Sequence, residues 1–277
     1  MFLRWAKWLL FSTVMPSAVM SSSVMLSALT LSAVILIPQG AVASESHHLT
    51  VAVANNFYRP MQALAQRYQQ QTGVKVQLST GSSGQLATQI EQGAPFDVFF
   101  SADQTRPKRL EQLGLVDSRV TYAQGKLVLW TRDASWTPSS DGHLSSMLHG
   151  RIALAEPSVA PYGKAAMECL NNQDLLETFN KQLVYGKGLN ATFQFAETGN
   201  AQFAFLSLSQ VKNQALGRYW LIPQSLYSPI NQQAAVITHR PNHAEAKAFL
   251  LFVTSQAVQP LLESYGYGLN HDELAKS

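Results

Sequence analysis

The sequence predicts an α/β protein built as two lobes. Strand and helix patterns alternate from about residue 49 to residue 265, the alternation restarts after about residue 125, and no Pro/Gly/Ser-rich linker separates the two blocks. Alternation of this kind implies parallel strands covered by helices on both faces. Two blocks without a linker imply lobes joined by crossing strands. The candidates are Lys126 to Thr131 and Gln232 to His239, which border the central block.

The first block opens with Leu49 to Ala54 (LTVAVA), a buried strand. Phe57 to Gln71 has helical periodicity with Met61, Leu64, Ala65 and Tyr68 on one face, and Gly73 ends it. Val74 to Ser79 alternates as a strand. A Gly81-Ser82-Ser83-Gly84 turn then leads into a helix to about Gln92. Asp97 to Ser101 (DVFFS) is a third strand and Gln104 to Leu113 a third helix. In the second block, Lys126 to Thr131 and Arg151 to Ala155 read as strands and Tyr162 to Asn171 as a helix. Leu183 to Tyr185 is a short strand, Asn190 to Gly199 a helix and Phe203 to Leu206 a strand. Ala234 to His239 is a late strand, followed by helices over Ala244 to Gln256 and Val258 to Tyr265.

Composition narrows the function. The 277 residues are 46% hydrophobic, enough for a core, and 13% charged, about half the usual fraction. A formal charge of +3 without like-charge runs argues against a nucleic-acid partner. The one cysteine, Cys169, excludes an internal disulfide and a multi-cysteine metal site, and reads as a small buried hydrophobe. Arg4 and Lys7 precede an uncharged interval that runs to Glu45, with an apolar run Leu26 to Pro38 and then Ala41-Val42-Ala43. This is the order of an export signal, so residues 1–43 are expected to be a signal peptide cut after Ala43, and the protein exported. The competing reading is an uncleaved anchor over Trp8 to Pro38.

Chemistry in an α/β sheet is expected beyond the carboxyl ends of strands, where the next helices open. Four such loops stand out: Ala54-Asn55-Asn56-Phe57, Thr80-Gly81-Ser82-Ser83-Gly84, Ala160-Pro161-Tyr162-Gly163 and Gly186-Lys187-Gly188-Leu189-Asn190. Helix N-termini carry unpaired N–H groups and a positive dipole end, and they bind anions. Ordinary capping explains any one loop, whereas a cleft between lobes would gather all four around one point. None of the loops contains arginine, although Arg59 lies near the first, so the arginine fork expected for an amino acid is missing. Ligands for a ferric ion and acids for a sugar are missing as well. Neutral donors at positive helix ends suit a dehydrated oxyanion.

The stretches VAVANNFYRPMQALAQRYQQQTG (51–73), STGSSGQLATQIEQGAPFDVFFSAD (79–103), YAQGKLVLW (122–130), ALAEPSVAPYGKAA (153–166) and SPINQQAAVIT (228–238) resemble the periplasmic molybdate-binding proteins of ABC importers. The resemblance spans roughly residues 48–270. It implies a type II periplasmic binding protein fold, with a two-strand hinge and lobes of 44–125 plus 233–277 and of 126–232. It implies a non-enzymatic carrier of molybdate or tungstate without a cofactor. Its partners would be an inner-membrane permease and its ATPase, and the carrier a monomer. The oxyanion would be held through its oxygens by Asn55, Asn56, Ser83 and the backbone N–H groups of Tyr162 and Leu189, with no direct protein–metal bond. Two departures stand out: many members have Ser or Thr at the position of Asn55, and many place a tyrosine on the strand near Ser207, where this chain has none. Sulfate or thiosulfate is the alternative guest.

Other motifs compete. Gly186 to Ala191 matches a dinucleotide fingerprint, but positions 200–215 hold no acid for the ribose. Gly81 to Gln85 is one position short of a serine-hydrolase elbow, with His239, His243 and His271 downstream and Ser83 as the nucleophile of that remote reading. Gly163-Lys164-Ala165 ends like a phosphate loop but lacks its Ser/Thr and earlier glycine. The seven histidines, including His47, His48, His143 and His149, read as solvated or capping groups. Trp130, Trp136 and Trp220 read as core or lobe-surface aromatics, and Lys164 and Lys187 as solvated charges flanking the cleft.

Overall fold

The computed structural model describes residues 48–268. The expected signal peptide and cleavage site, Glu45, His47 and His271 lie outside the described residues. The chain runs β1 (His48–Ala54), a 3-10 turn (Asn55–Phe57), α1 (Tyr58–Thr72), β2 (Lys75–Gly81), α2 (Ser83–Glu91), β3 (Val98–Phe100), α3 (Thr105–Gln112) and β4 (Val116–Gly125). It continues through β5 (Leu127–Thr131), β6 (Ile152–Ala155), α4 (Pro161–Asn171), α5 (Leu176–Phe179), β7 (Leu183–Gly186), α6 (Leu189–Glu197), β8 (Phe203–Ser207), α7 (Leu208–Val211) and β9 (Arg218–Leu221). It closes with β10 (Ile230–Ile237), α8 (His243–Thr254) and α9 (Gln259–Ser264).

The strands form two five-stranded sheets, ordered β2-β1-β3-β10-β4 and β7-β6-β8-β5-β9. Each holds three parallel strands, as the alternation predicts. Each then departs from the wholly parallel expectation, because β10 is antiparallel to β3 and β4, and β5 is antiparallel to β8 and β9. Parallel neighbours need a long crossover, usually a helix. β5 and β10 instead enter straight from the opposite sheet, so they arrive head to tail.

That entry also corrects the expected crossings. Of the expected Lys126 to Thr131 only the first residue crosses: β5 lies wholly in the second sheet, with Leu127 opposite Ser207. The chain crosses at Lys126, directly after Gly125 in β4. The return strand begins at Ile230, two residues before the expected start, and Ile230 pairs with Gly125. The two crossings are therefore side by side. Register shifts near Gln232 and Gln233 mark irregularities in this ladder.

Burial explains which elements the pattern reveals. Met61, Leu64, Ala65 and Tyr68 of α1 are all buried, as their common face requires, and Gly73 ends the helix in the left-handed region at φ 78°. One apolar cluster surrounds the second sheet and two cover the faces of the first. Trp130 and Cys169 lie in the second-sheet core, with Trp136 and Trp220 packed against it. No helix among the described residues is long and apolar enough to cross a membrane.

Gly163 sets the seat of α4. A Cβ there would stand 1.9 Å from the Ala155 carbonyl oxygen at the end of β6, so helix and strand meet backbone to backbone. Neither side can yield by rotating a side chain. Gly163→Ala is expected to lower stability by about 1–3 kcal/mol through overpacking, seen as a lower melting temperature with the circular-dichroism spectrum retained.

Candidate functional site

Four of the expected loops converge. Asn55, Asn56, Ser82, Ser83, Tyr162 and Leu189 line one small cavity, closed by Ala54, Ala102, Ala160 and Pro161. All five residues expected to hold an oxyanion are thus in its wall. The cavity is small, about 10 Å³, against roughly 300–1,000 Å³ for ordinary organic-ligand pockets. Its lining holds no lysine, arginine, histidine or acid.

An accounting of backbone donors shows what the wall offers. At the start of α2, Ser82 and Gln85 form a capping box, with Gln85 N donating to Ser82 Oγ at 3.4 Å and Ser82 N to Gln85 Oε1 at 3.2 Å. Gly84 N donates across to the Val159 carbonyl at 2.9 Å. The N–H of Ser83, first in the helix, has no intrahelical acceptor. In α4, Pro161 has no N–H and Lys164 N bonds the Ala160 carbonyl at 3.0 Å, so the first donor at the helix mouth is Tyr162. In α6, Thr192 N bonds the Gly188 carbonyl at 3.1 Å, with Leu189 at the open first position. Helix α6 starts one residue before the expected Asn190, which is what puts Leu189 there. Three helix ends thus turn unpaired donors and positive dipole ends on one point.

The side chains add neutral groups. Ser83 Oγ accepts the Ala102 N–H at 2.9 Å, which leaves its hydroxyl proton to donate elsewhere. Asn55 Oδ1 accepts from Thr80 Oγ1 at 3.1 Å, which directs Nδ2 away toward Gly188 across the cleft. Asn56 differs from the expectation of a side-chain donor. Its Nδ2 donates to Gln232 Oε1 and to the Tyr267 hydroxyl, both at 2.9 Å, so both amide hydrogens are spent away from the cavity. Asn56 Oδ1 is buried without a partner. What Asn56 can still give a guest is its backbone N–H.

Beneath the cavity lies a buried polar floor that sequence reasoning missed. Gln232 Oε1 also accepts from Tyr122 at 2.8 Å, and Gln232 Nε2 donates to the Tyr162 hydroxyl at 3.1 Å. Tyr267 and Ser209 both donate to the Asn56 carbonyl, at 2.8 and 2.7 Å. Ser207, near which the resemblance expects a tyrosine, is buried and donates to Gln210 at 3.1 Å. The tyrosine hydroxyl in this region comes from Tyr267, near the end of the described chain. The one available signal was the polar run Asn231-Gln232-Gln233 at the start of β10, ahead of its apolar Ala234 to Ile237. Burial pushes the phenols of Tyr122 and Tyr162 well above their ordinary range and raises that of Tyr267, so all three stay neutral.

The competing motifs find no support in the geometry. Gly186 and Gly188 do join a strand to a helix, and Leu189, the residue after them, is the one in the cavity wall. Ser83 has no histidine or acid beside it in that wall. His243 bonds Asp117 at 3.0 Å on the surface, and among the described residues no three His, Cys, Asp or Glu could hold a metal. Cys169 is buried, its thiol pushed up to about 12 by desolvation. Lys164 is exposed, 3.8 Å from Glu168. It lines an outer groove of about 500 Å³ that shares Ala102 and Pro161 with the cavity wall.

A family model for bacterial extracellular solute-binding proteins matches residues 49–268. The molybdate-binding protein ModA of Rhodobacter capsulatus is 39% identical over 229 residues, covering 82% of this chain and 90% of that one. ModA of Azotobacter vinelandii is 38% identical over 234 residues, covering 83% and 93%. The solved structure of the Azotobacter vinelandii periplasmic molybdate-binding protein matches with a TM-score of 0.76 at 32% identity, over 80% of this chain and 100% of that one. The fold is that of the type II periplasmic binding proteins. By sequence and by architecture, the chain belongs to the bacterial extracellular solute-binding proteins, in the family of the molybdate-binding proteins of ABC importers.

Proposed function

We propose that this protein captures molybdate or tungstate in the cavity between its sheets and delivers it, as a periplasmic monomer, to an ABC permease and its ATPase. The two sheets are the cores of two lobes, 44–125 with 233–277 and 126–232, and residues 1–43 are the export signal. The observation that carries the reading is the wall itself: donors from three helix ends and Ser83, around a cavity of about 10 Å³ with no formal counter-charge. Asn55 Nδ2 and the backbone N–H groups of Asn56, Ser83, Tyr162 and Leu189, with the Ser83 hydroxyl, replace the hydration of one tetrahedral dianion. Their fixed positions select its size. Closure supplies Tyr162 and Leu189 from the second lobe, so the guest favours the closed form by the donors it gains there. No bond is made or broken.

Replacing Ser83 by alanine removes a donor to a charged guest. Ser83→Ala is expected to weaken molybdate binding by about 1–3 kcal/mol, measured by calorimetry. Unchanged affinity would remove Ser83 from the shell. The same variant tests the hydrolase alternative, since turnover of a generic ester abolished in Ser83→Ala would favour it.

Affinity is expected to be nearly flat from about pH 6 to pH 9. The one titratable group in the wall is the Tyr162 phenol, and burial holds it neutral throughout that window. Affinity should also change little with ionic strength, because no exposed counter-charge holds the guest. A steep salt dependence would instead implicate Lys164 or Lys187. A thermal-shift panel of molybdate, tungstate, sulfate, phosphate and chromate decides the guest: stabilisation by sulfate equal to that by molybdate would favour the sulfate alternative.

A further inference from the structure

The loop before α4 is a rigid turn. Val159 N and Ala160 N both bond the Glu156 carbonyl, at 3.2 and 2.9 Å, and Ser158 Oγ donates to the Glu156 carboxylate at 3.0 Å. Two consecutive carbonyls of this turn face the other sheet's helices, and both are taken. Gly84 N–H holds the Val159 carbonyl at 2.9 Å, and Arg106 Nη2 holds the Ser158 carbonyl at 2.9 Å. Gly84 has no room for a side chain, since a Cβ there would sit 2.9 Å from Val159 Cα.

Arg106 is built for this bond. Its other guanidinium arm pairs with Asp103, which also accepts the Arg106 backbone N–H at 3.0 Å and is itself bonded by Ser101 Oγ at 3.2 Å. Both charged side chains are about four-fifths buried, with 20% and 18% exposed. The guanidinium therefore has its charge balanced within its own lobe and spends its remaining arm on a neutral carbonyl of the other. It lines the outer groove and not the cavity.

The geometry points to Arg106 as a positioning residue that latches the lobes shut over the guest. It holds the turn from which α4 springs, and so holds the Tyr162 N–H over the cavity. Because Asp103 neutralises it, its effect falls on release and not on electrostatic capture. This inference rests on the oxyanion-binding reading above, and it assigns the retention of the guest to a residue that never touches it.

Stopped-flow fluorescence with molybdate, run on the wild type, R106A and R106K, separates the roles. A lysine keeps the charge but cannot hold Asp103 and Ser158 together with a planar fork. The latch predicts release at least tenfold faster in both variants, with the association rate close to wild type. Unchanged release in R106A would overturn the latch. So would a slowed association in R106A that R106K restores, which is the signature of charge steering. Failure of the wild type to bind molybdate would instead overturn the oxyanion reading itself.

Discussion

The amide of Gln232 constrains everything above it. It sits on β10 where the chain returns between sheets, and it is fully buried. Its oxygen accepts from Asn56 and Tyr122 of the first sheet's side, while its nitrogen donates to Tyr162 of the second. A carboxylate could not donate to Tyr162, and an apolar side chain would strand one buried Asn56 N–H at about 1–3 kcal/mol, while Tyr122 would fall back on the Ser101 carbonyl at 3.2 Å. Gly125 on the neighbouring strand leaves space for the same junction, since a Cβ there would stand 2.1 Å from the Tyr162 hydroxyl oxygen. One side chain thus ties together, from beneath, Asn56 and Tyr162 of the cavity wall.

The electrostatics follow from who supplies the positive potential. A lysine would offer a mobile point charge and would tolerate many anions. Backbone N–H groups at helix ends are tied to helices that are themselves packed into cores, so the site cannot adapt to a larger or smaller guest without moving a helix. The absence of cations in the wall is therefore a source of discrimination. It also spares the ligand-free protein the desolvation of a buried charge, which is several kcal/mol per ion. Asn56 Oδ1 is buried without a partner. Nδ2 of the same side chain is committed to the floor, to Gln232 and Tyr267.

How much of this was legible depends on the range of the interactions. The loops were readable because capping, glycine placement and strand ends are local, and Asn55, Asn56, Ser83, Tyr162 and Leu189 all sit at such ends. The three parallel strands of each sheet were readable from alternation. Strand β4, in contrast, reads VDSRVTYAQG, half-polar and only partly buried, and its partner β10 is over a hundred residues away in the chain. Its antiparallel pairing is imposed by the crossing, which no local pattern encodes. The floor was hidden for the same reason: Gln232, Tyr267 and Asn56 meet across separations of 176 and 211 residues. A buried glutamine in a strand announces that partners exist without naming them.

Asn55 shows how the lobes constrain each other's sequence. Where the resemblance leads to the expectation of a short hydroxyl side chain, this chain carries a longer amide. Its oxygen is tethered to Thr80 on its own side, so its nitrogen must extend over the cleft. There it meets Gly188, where a Cβ would lie 2.6 Å from Nδ2. The backbone of Gly188 is extended, at φ 177°, so the glycine is not required for its conformation and is required here for its lack of bulk. A longer donor on one lobe and a missing side chain on the other are therefore a single steric solution: a side chain added at Gly188 would collide with Asn55, whereas a short hydroxyl in place of Asn55 would leave a gap there.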